Sequence, residues 1–317
     1  MNERVYGVDL GGTTVKIGAF DGAGTLVRKW EIPTRSENGG ALILEDIAAA
    51  VKADAVENEA VIGGIGMGVP GVITPDGDLL PCVNLNGWGG AVGKELSQRC
   101  GCPVKMLNDA NAATLGELWR GGGMGVKSMV FVTLGTGVGG GIVVDGKLLA
   151  GSHGVGGELG HMKIYETGED VCGCGKRGCL EKYASATALA THAKRALAQT
   201  DAPSALRNVV DVTAKDVFDA AKTGDALAVE LCEKYADALG RGLAIVACVC
   251  DPEAFVLGGG VTKAGDYLLN KVKEAYQRYA FATTAEADLV LAKLGNDAGM
   301  YGGAHEIFAE LGRADLL

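Results

Sequence analysis

Three cysteines and one histidine form the group of residues whose chemistry is clearest from their types and spacing. They are Cys172, Cys174 and Cys179, preceded at a short distance by His161. Thiolate sulfur and imidazole nitrogen are preferred zinc ligands, and four of them complete a tetrahedral site. Because such a site keeps no open position for water, we expect a structural rather than a catalytic metal. Three buried thiols beside an unrelated histidine are the alternative.

Two carboxylates bracket this group, Glu158 before His161 and Glu181 after Cys179. A metal that fixed its ligands would also hold these two carboxylates at set positions. Taken alone, each would more often be a solvated surface charge. The metal is therefore expected to act as a brace, and the reacting groups must lie elsewhere in the chain.

Three glycine-rich turns follow strand-like segments, and we call them the first, second and third glycine loops. They are Gly11–Thr14, Gly135–Gly137 (the start of a turn expected over 135–141) and Gly258–Gly260. Backbone N–H groups in such turns point toward a bound anion, and threonine hydroxyls in the first two loops add donors. Asp9, just before the first loop, could hold Mg²⁺ through water. Tight turns within a sheet are the alternative for each loop alone, but three together favour ATP as the ligand.

The second glycine loop also opens a G-x-G-x-x-G match over residues 135–140, the pattern of dinucleotide-binding proteins. That fingerprint requires a helix to begin at the glycines, with its N-terminus on the pyrophosphate. Here the glycines lead into Ile142–Val144 and then Asp145–Gly146, a pattern typical of a β-hairpin. The sequence therefore argues against a dinucleotide site.

Composition limits the remaining choices. The chain has 317 residues, enough for about two domains, and a net charge of −10. It has no run of basic residues, so we expect no nucleic-acid partner and no membrane partner. The N-terminal residues have no basic segment followed by an apolar one, so we expect no signal peptide. Nine cysteines, an odd number, favour thiols and metal ligands over disulfides, and we expect a cytoplasmic protein.

Hydrophobic periodicity predicts an alternation of strands and helices, hence an α/β protein. Two strand–glycine-turn–strand segments match at an offset of 124 residues, with Gly11 against Gly135 and Asp21–Gly22 against Asp145–Gly146. This match indicates an internal duplication. The predicted strands are three within 5–32, then 62–69, 103–107, 128–134, 142–144, 255–257 and 289–292, and the predicted helices are 41–60, 110–119, 183–199, 213–222, 225–250, 265–280 and 299–311.

Together these residues resemble the ROK family of sugar kinases, and within it the bacterial glucokinase branch. Residues 172–181 read C-x-C-G-x-x-G-C-x-E, which is the family's metal signature without a gap. Residues 9–16 and 134–141 look like its two phosphate loops, and residues 257–265 like its adenosine-side loop. Residues 157–161 and 108–111 resemble its sugar-binding and catalytic segments. The similarity extends over nearly the whole chain.

The resemblance implies an actin-like (ribonuclease H-like) two-domain fold with a central cleft. The domains would be 1–111 plus 297–317, a small α/β domain, and 112–296, a large α/β domain with the zinc loop. It also implies ATP, Mg²⁺ and structural Zn²⁺ as cofactors, glucose or a related hexose as substrate, and a homo-oligomer. The family's repressors carry a DNA-binding domain before the first phosphate loop; only eight residues precede Asp9, so we expect a kinase.

The resemblance also assigns roles to single residues. Asp109 would be the general base on the sugar hydroxyl. The implied substrate-binding residues are Gly71, Asn84, Asn108, Asp109, Glu158, His161 and Glu181. The implied nucleotide-binding residues are Asp9, Gly11, Gly12, Thr13, Thr14, Lys16, Gly135, Thr136, Gly137, Gly258, Gly259 and Gly260, and the metal ligands are His161, Cys172, Cys174 and Cys179.

The expected reaction is ATP-dependent phosphorylation of glucose to glucose 6-phosphate. Other hexose or N-acylhexosamine kinases, and kinases that use polyphosphate, remain alternatives within the family. A sugar-sensing protein without catalysis is the alternative from another class, against which Asp109 and the three glycine loops argue. The alternative to a catalytic role for Asp109 is a structural one, as a helix N-cap.

Overall fold

A computed structural model describes residues 2–82 and 85–317 of the chain. Contacts divide the chain into two compact units. Unit 1 comprises Met1–Gly125, Leu148–Gly156 and Lys293–Leu317, and unit 2 comprises Val126–Lys147 and Gly157–Ala292. Among the described residues, no helix is both long enough and apolar enough to cross a membrane.

Unit 1 is built on a five-stranded sheet in which the first three strands form an antiparallel meander. The fourth and fifth strands of the sheet run parallel to β1, so the carboxyl ends of three strands share one edge. A two-stranded hairpin, β5 with β6, lies outside this sheet. The strands are β1 Asn2–Leu10, β2 Thr14–Phe20, β3 Leu26–Pro33, β4 Ala60–Val69, β5 Leu79–Cys82, β6 Trp88–Gly90 and β7 Val104–Asn108, in the sheet order β3-β2-β1-β4-β7.

The helices of unit 1 are α1 Glu37–Gly40, α2 Ile43–Glu57, α3 Val92–Cys100, α4 Asp109–Arg120 and α10 Ala298–Glu310. The last of these, α10, packs against β1, β4 and α4. Glycines allow this close approach: a Cβ on Gly7 would lie 1.9 Å from the Met300 carbonyl oxygen, and one on Gly66 would lie 1.7 Å from the Gly303 carbonyl oxygen. The C-terminal helix is thus part of the unit that carries the first glycine loop.

Unit 2 repeats the same sheet topology. Its strands are β8 Met129–Leu134, β9 Val138–Val144, β10 Lys147–Leu148, β11 Ala254–Gly258 and β12 Asp288–Leu291, in the order β10-β9-β8-β11-β12. β8 pairs antiparallel with β9 and parallel with β11, as β1 pairs with β2 and β4. The repeated order agrees with the internal duplication read from the sequence. The helices are α5 Glu181–Ala184, α6 Ala186–Gln199, α7 Ala214–Lys222, α8 Ala226–Cys250 and α9 Asp266–Tyr279.

Most predicted elements are confirmed within a few residues, and two predictions are wrong. The expected turn at 135–141 ends at Gly137, because Gly139 and Gly140 pair with β8 as part of β9. The helix expected over 183–199 is broken at Ser185, whose extended backbone begins α6 and whose hydroxyl accepts the Ala188 N–H. The hairpin β5–β6 and helix α3 were not predicted, because these short segments have too few apolar residues for a clear period.

Candidate active site

The first glycine loop joins β1 to β2 at the carboxyl edge of the unit 1 sheet. The Gly11 N–H donates to the Thr14 carbonyl at 3.0 Å and closes the turn. The Thr34 hydroxyl donates to the Gly11 carbonyl at 2.7 Å, and the Thr34 N–H donates to the Thr13 carbonyl at 2.9 Å. With the carbonyls held this way, the exposed Gly12 and Thr13 have N–H groups that no described residue accepts. The arrangement suits an anion.

The second glycine loop, in unit 2, has the same organisation. The Gly135 N–H donates to the Gly137 carbonyl at 3.0 Å, and the Gly135 carbonyl accepts the Ala186 N–H at 2.8 Å. The N–H groups of Thr136 and Gly137 have no acceptor among the described residues. The strand β9 follows directly, so the predicted hairpin is confirmed, and the helix that the dinucleotide fingerprint requires does not begin at these glycines.

The third glycine loop follows β11, which lies beside β8, so it shares a sheet edge with the second loop. At two of its positions, close packing leaves no room for a Cβ atom and therefore requires glycine. A Cβ on Gly258 would lie 2.8 Å from the Phe131 ring, and Gly259, at φ 86°, would place one 2.5 Å from the Leu134 carbonyl oxygen. Gly260 has open space at its Cβ and begins a 3-10 turn over Gly260–Ala264. Gly260 is therefore the glycine of this loop that has room for a ligand.

Two carboxylates gather at the carboxyl edge of the unit 1 sheet. Asp9 lies near the end of β1, and Asp109 is the first residue of α4, directly after β7. Gly68 lies between them: its Cβ position is 3.8 Å from both an Asp9 oxygen and the Asp109 Cα. Burial raises the pKa of Asp9 to about 6, with Lys16 opposing this and Asp109 adding to it. Asp9 is therefore largely ionised at neutral pH but titrates close to it.

Asp109 is accessible to solvent, yet the surrounding protein raises its pKa by desolvation, against the lowering effect of hydrogen bonds from the α4 N-terminus. A carboxylate with a raised pKa is a stronger proton acceptor. The alternative that Asp109 is simply the N-cap of α4 is wrong, because Asn108 has that role. The Asn108 Oδ1 accepts the Ala110 N–H at 3.0 Å and the Asn111 N–H at 3.3 Å. The capping amide thus holds Asp109 at the start of the helix, where the Asp109 Oδ1 also accepts the Ala110 N–H at 2.8 Å.

The second group on Asn108, its Nδ2, donates to the Gly71 carbonyl at 3.0 Å. Gly71 adopts φ 134°, a backbone conformation that a side chain would strain. Because an amide has two donors, one Asn108 N–H is left for a ligand. Gly71, Asn108 and Asp109 therefore form one hydrogen-bonded corner at the sheet edge. Asn84, the remaining predicted sugar ligand of this unit, lies outside the described residues.

His161, Cys172, Cys174 and Cys179 converge in unit 2, with all four ligand atoms within 4.8 Å of one another. Cys174 Sγ and Cys179 Sγ are 3.7 Å apart, and Cys172 Sγ is 3.4 Å from His161 Nδ1. Two sulfurs held tetrahedrally at about 2.3 Å from zinc would lie about 3.8 Å apart. The separations therefore fit a single tetrahedral zinc ion.

The local backbone explains how this cluster, which we call the Cys3His cluster, is formed. Gly175 and Gly178 have φ near 80°, and a Cβ on Gly178 would lie 1.9 Å from the Tyr165 carbonyl oxygen. Gly173, between the first two cysteines, has open space at its Cβ position and no positive φ. The turn therefore requires glycine at positions 175 and 178 but not at 173. Backbone hydrogen bonding, chiefly at Lys176, lowers the pKa of Cys174. Burial raises the pKa of the Cys179 thiol to about 12. A divalent cation would favour the thiolate at both.

Both carboxylates near the cluster touch it. Glu158 Oε2 is 3.9 Å from His161 Nε2, on the opposite side of the imidazole from Nδ1. Glu181 Oε1 is 3.8 Å from Cys172 Sγ, while its Oε2 accepts the Val138 N–H at 3.2 Å. Both glutamates were expected as sugar ligands, but the contact of Glu181 with the second glycine loop was not predicted.

Two further residues were missed by sequence reasoning. Thr34, which fixes the first glycine loop, follows a strand without any motif. Glu117 is fully buried in α4 and accepts backbone N–H groups from Gly122 at 2.7 Å, Lys293 at 3.0 Å and Leu294 at 2.8 Å. Its only sequence signal was a charged residue on an otherwise apolar helix face. Lys16, expected at the nucleotide, donates to the Asn296 carbonyl at 2.7 Å.

Comparison with known proteins agrees with these observations. The ROK family profile matches residues 5–309. A glucokinase of Halalkalibacterium halodurans is 44% identical, over 96% of this chain and 94% of that protein. The ROK hexokinase of Thermus thermophilus superposes with a TM-score of 0.85 and 36% identity, covering 98% of this chain and 100% of that one. A ROK family glucokinase of Streptomyces griseus, solved with glucose and AMPPNP, has a TM-score of 0.76 and 34% identity, covering 96% and 98%.

These similarities confirm the expected actin-like α/β fold. The match covers nearly the whole chain, and the metal signature, the glycine loops and the Asn108–Asp109 corner all fall within it. The chain belongs to the ROK family.

Proposed function

We propose that this protein is an ATP-dependent glucokinase that converts D-glucose to glucose 6-phosphate. The observation that carries the proposal is the placement of Asp109, an accessible carboxylate of raised pKa held by Asn108 at the same sheet edge as Asp9 and the first glycine loop. The similarity to glucokinases over nearly the whole chain supports the choice of reaction and of substrate.

In the proposed reaction, Asp109 accepts the proton of the sugar hydroxyl as that oxygen attacks the γ-phosphorus of ATP. The bond from the γ-phosphorus to the bridging oxygen breaks, and ADP leaves. A positioned carboxylate is sufficient as base, because phosphoryl transfer requires mainly orientation and charge stabilisation. Glu158, His161, Glu181 and the remaining N–H of Asn108 bind the other sugar hydroxyls, since each buried hydroxyl needs a partner.

In each unit the free N–H groups of the glycine loop are suited to phosphate oxygens of ATP: those of Gly12 and Thr13 in unit 1, and those of Thr136 and Gly137 in unit 2. Gly260 gives the adenosine end room at the third loop. Mg²⁺, when bound with ATP, neutralises the β- and γ-phosphate oxygens. Asp9 is the residue that would hold the hydrated ion, and it is ionised at neutral pH despite its raised pKa.

The Cys3His cluster binds one structural Zn²⁺. Its donor set, its ligand separations and the glycine turns at 175 and 178 support this assignment. With Nδ1 toward the metal, the Nε2 of His161 lies on the side of Glu158, 3.9 Å from its Oε2, which supports its proposed role as a ligand of a sugar hydroxyl. Elemental analysis of protein purified without chelator should find about one zinc per chain; its absence, with all thiols rapidly reactive, would contradict the assignment. A thiol-rich zinc centre fits a reducing compartment such as the cytoplasm. The expected homo-oligomer stays a prediction.

A coupled assay across a sugar panel tests the function. With ATP, kcat/KM should be highest for glucose among glucose, mannose, fructose, N-acetylglucosamine and N-acetylmannosamine. A site that pairs each hydroxyl disfavours an analogue that leaves one buried partner unsatisfied. If an acetylated sugar ranks above glucose, the protein is an N-acylhexosamine kinase. If polyphosphate is preferred over ATP, the donor assignment is wrong, and if no sugar is phosphorylated, a sugar-sensing role replaces catalysis.

A further inference from the structure

The second glycine loop is in contact with the segments that carry the metal ligands. On one side, the Glu181 Oε2 accepts the Val138 N–H at 3.2 Å, directly after the loop. The fit is tight, because a Cβ on Gly137 would lie 2.3 Å from the same oxygen. The N-terminus of α6 adds the hydrogen bond from Ala186 to the Gly135 carbonyl. The loop is thus held by residues that follow Cys179 within a few positions.

The segment before His161 holds the strand that continues the loop. A Cβ on Gly160 would lie 2.2 Å from the Val138 carbonyl oxygen, and one on Gly157 would lie 3.0 Å from the Gly140 carbonyl oxygen. The loop and the first residues of strand β9 therefore lie between two short segments. One ends in the histidine ligand and the other follows the last cysteine ligand. The cluster joins them through their side chains, and backbone hydrogen bonds join them as well, from the Leu180 N–H to the Met162 carbonyl at 2.8 Å and from the Ile164 N–H to the Gly178 carbonyl at 2.9 Å.

Glu181 completes this connection at the level of atoms. Its Oε1 faces Cys172 Sγ at 3.8 Å while its Oε2 holds the Val138 N–H. A carboxylate has about four acceptor positions, so this arrangement leaves room for a sugar hydroxyl as well. If the cluster opens, the backbone bonds at Cys179 and Leu180 remain, but the Cys172 contact that positions the Glu181 carboxylate is lost.

We propose that Glu181 couples occupancy of the Cys3His cluster to the conformation of the second glycine loop, so that the metal sets nucleotide affinity. Glu181 acts here as a positioning residue, through the Val138 N–H. This inference rests on the proposed nucleotide-binding role of that loop. It predicts that the metal limits the mobility of the second glycine loop, although no residue of that loop is a metal ligand.

Amide hydrogen exchange, read by mass spectrometry on the peptide that covers residues 135–138, tests the coupling without nucleotide. In metal-loaded protein the Val138 amide of this peptide should be protected, and removal of the metal by chelator should accelerate its exchange about tenfold, the value of one hydrogen bond to a charged acceptor. Unchanged exchange of this peptide, while residues 161–181 become unprotected, would overturn the proposal.

A variant that keeps all four metal ligands distinguishes loss of the Glu181 contact from unfolding of the metal-free protein. In metal-loaded Gly137→Ala, the added methyl must displace Glu181, so the same peptide should exchange about tenfold faster at full zinc content. Gly135→Ala is the matched control, since its Cβ meets open space, and its exchange should stay within about twofold of wild type. Equal exchange in the two variants would refute the role of Glu181.

Calorimetry with ADP then closes the cycle. Metal removal should weaken ADP binding about tenfold in the wild type. In Glu181→Ala, binding should be weaker by a similar factor and should not change further when the metal is removed. A full metal effect in Glu181→Ala would overturn the coupling. If the metal-loaded wild type binds no ADP, the proposed kinase function fails, whereas the exchange result still decides the coupling.

Discussion

Glu117→Gln should destabilise unit 1 far more than the loss of one charge on a surface helix. The carboxylate is fully buried and accepts three backbone N–H groups, one from Gly122, two residues after α4, and two from the segment before α10. The amide can keep its oxygen where Oε2 accepts Gly122 and Lys293. Its NH2 group then faces the Leu294 N–H, so a donor meets a donor.

The magnitude follows from these three bonds. A buried donor left without an acceptor costs about 1–3 kcal/mol, and the two retained bonds lose the charge of their acceptor, which makes each roughly half as strong. We expect a loss of about 2–4 kcal/mol in the free energy of unfolding. For a unit of this size that corresponds to a fall in Tm of roughly 4–16 °C. Glu117→Ala, which leaves all three N–H groups unpaired, should cost more.

The chain offers a direct assay, because its three tryptophans, Trp30, Trp88 and Trp119, all lie in unit 1. Urea unfolding followed by tryptophan fluorescence therefore reports this unit. Glu310→Gln is the matched control: its carboxylate is half exposed and, among the described residues, forms an ion pair only with the partly exposed Lys105 at 3.1 Å, so the change should stay within about 0.5 kcal/mol. A Glu117→Gln midpoint equal to that of this control would refute the reasoning.

Three further predictions concern catalysis and pH. Asp109→Asn should lower kcat at least about 100-fold while glucose binding by calorimetry stays within about threefold, because the amide keeps the shape but cannot accept a proton; turnover near that of wild type would remove Asp109 as base. Since burial raises the pKa of Asp9 to about 6, kcat/KM for ATP should fall about tenfold per pH unit below that value, and a flat profile down to pH 5 would contradict a required Asp9 carboxylate. Burial lowers the pKa of His305 from 6.5 to about 4, so the unfolded chain binds more protons between these values; the stabilisation present above pH 6.5 is lost as pH falls toward 4. Between pH 7 and 5 this amounts to about 2 kcal/mol, which His305→Phe should abolish in the same fluorescence assay; an unchanged pH dependence in the variant would show that other groups cause it.

Several features of the site were predictable from the sequence because they depend on local chemistry. The spacing of His161 and the three cysteines predicted a cluster that the structure brings within ligand distance. Glycines followed by short apolar segments predicted hairpins, and these exclude the helix that a dinucleotide site needs. The repeat at an offset of 124 residues predicted two similar sheets, and both have the same strand order.

Tertiary structure decided which atoms each of these groups contacts. Asn108 could be a sugar ligand or a cap, and the fold uses both ends of its amide, on α4 and on Gly71. Glu181 lies two residues after a cysteine ligand, yet its partner is the Val138 N–H, 43 positions away. Glu117 is separated from Leu294 by 177 positions, and nothing local to either segment indicates the pairing.

The physical reason for this division is the range of the forces involved. Residue types, turn glycines and hydrophobic periods act over a few neighbouring positions, so the sequence by itself determined the metal ligands, the glycine loops and most strands and helices. Burial, desolvation and long-range hydrogen bonds exist only once distant segments pack together. These interactions raise the pKa of Asp9 and Asp109, give Glu117 its three donors and bring Glu181 from the metal cluster to the second glycine loop.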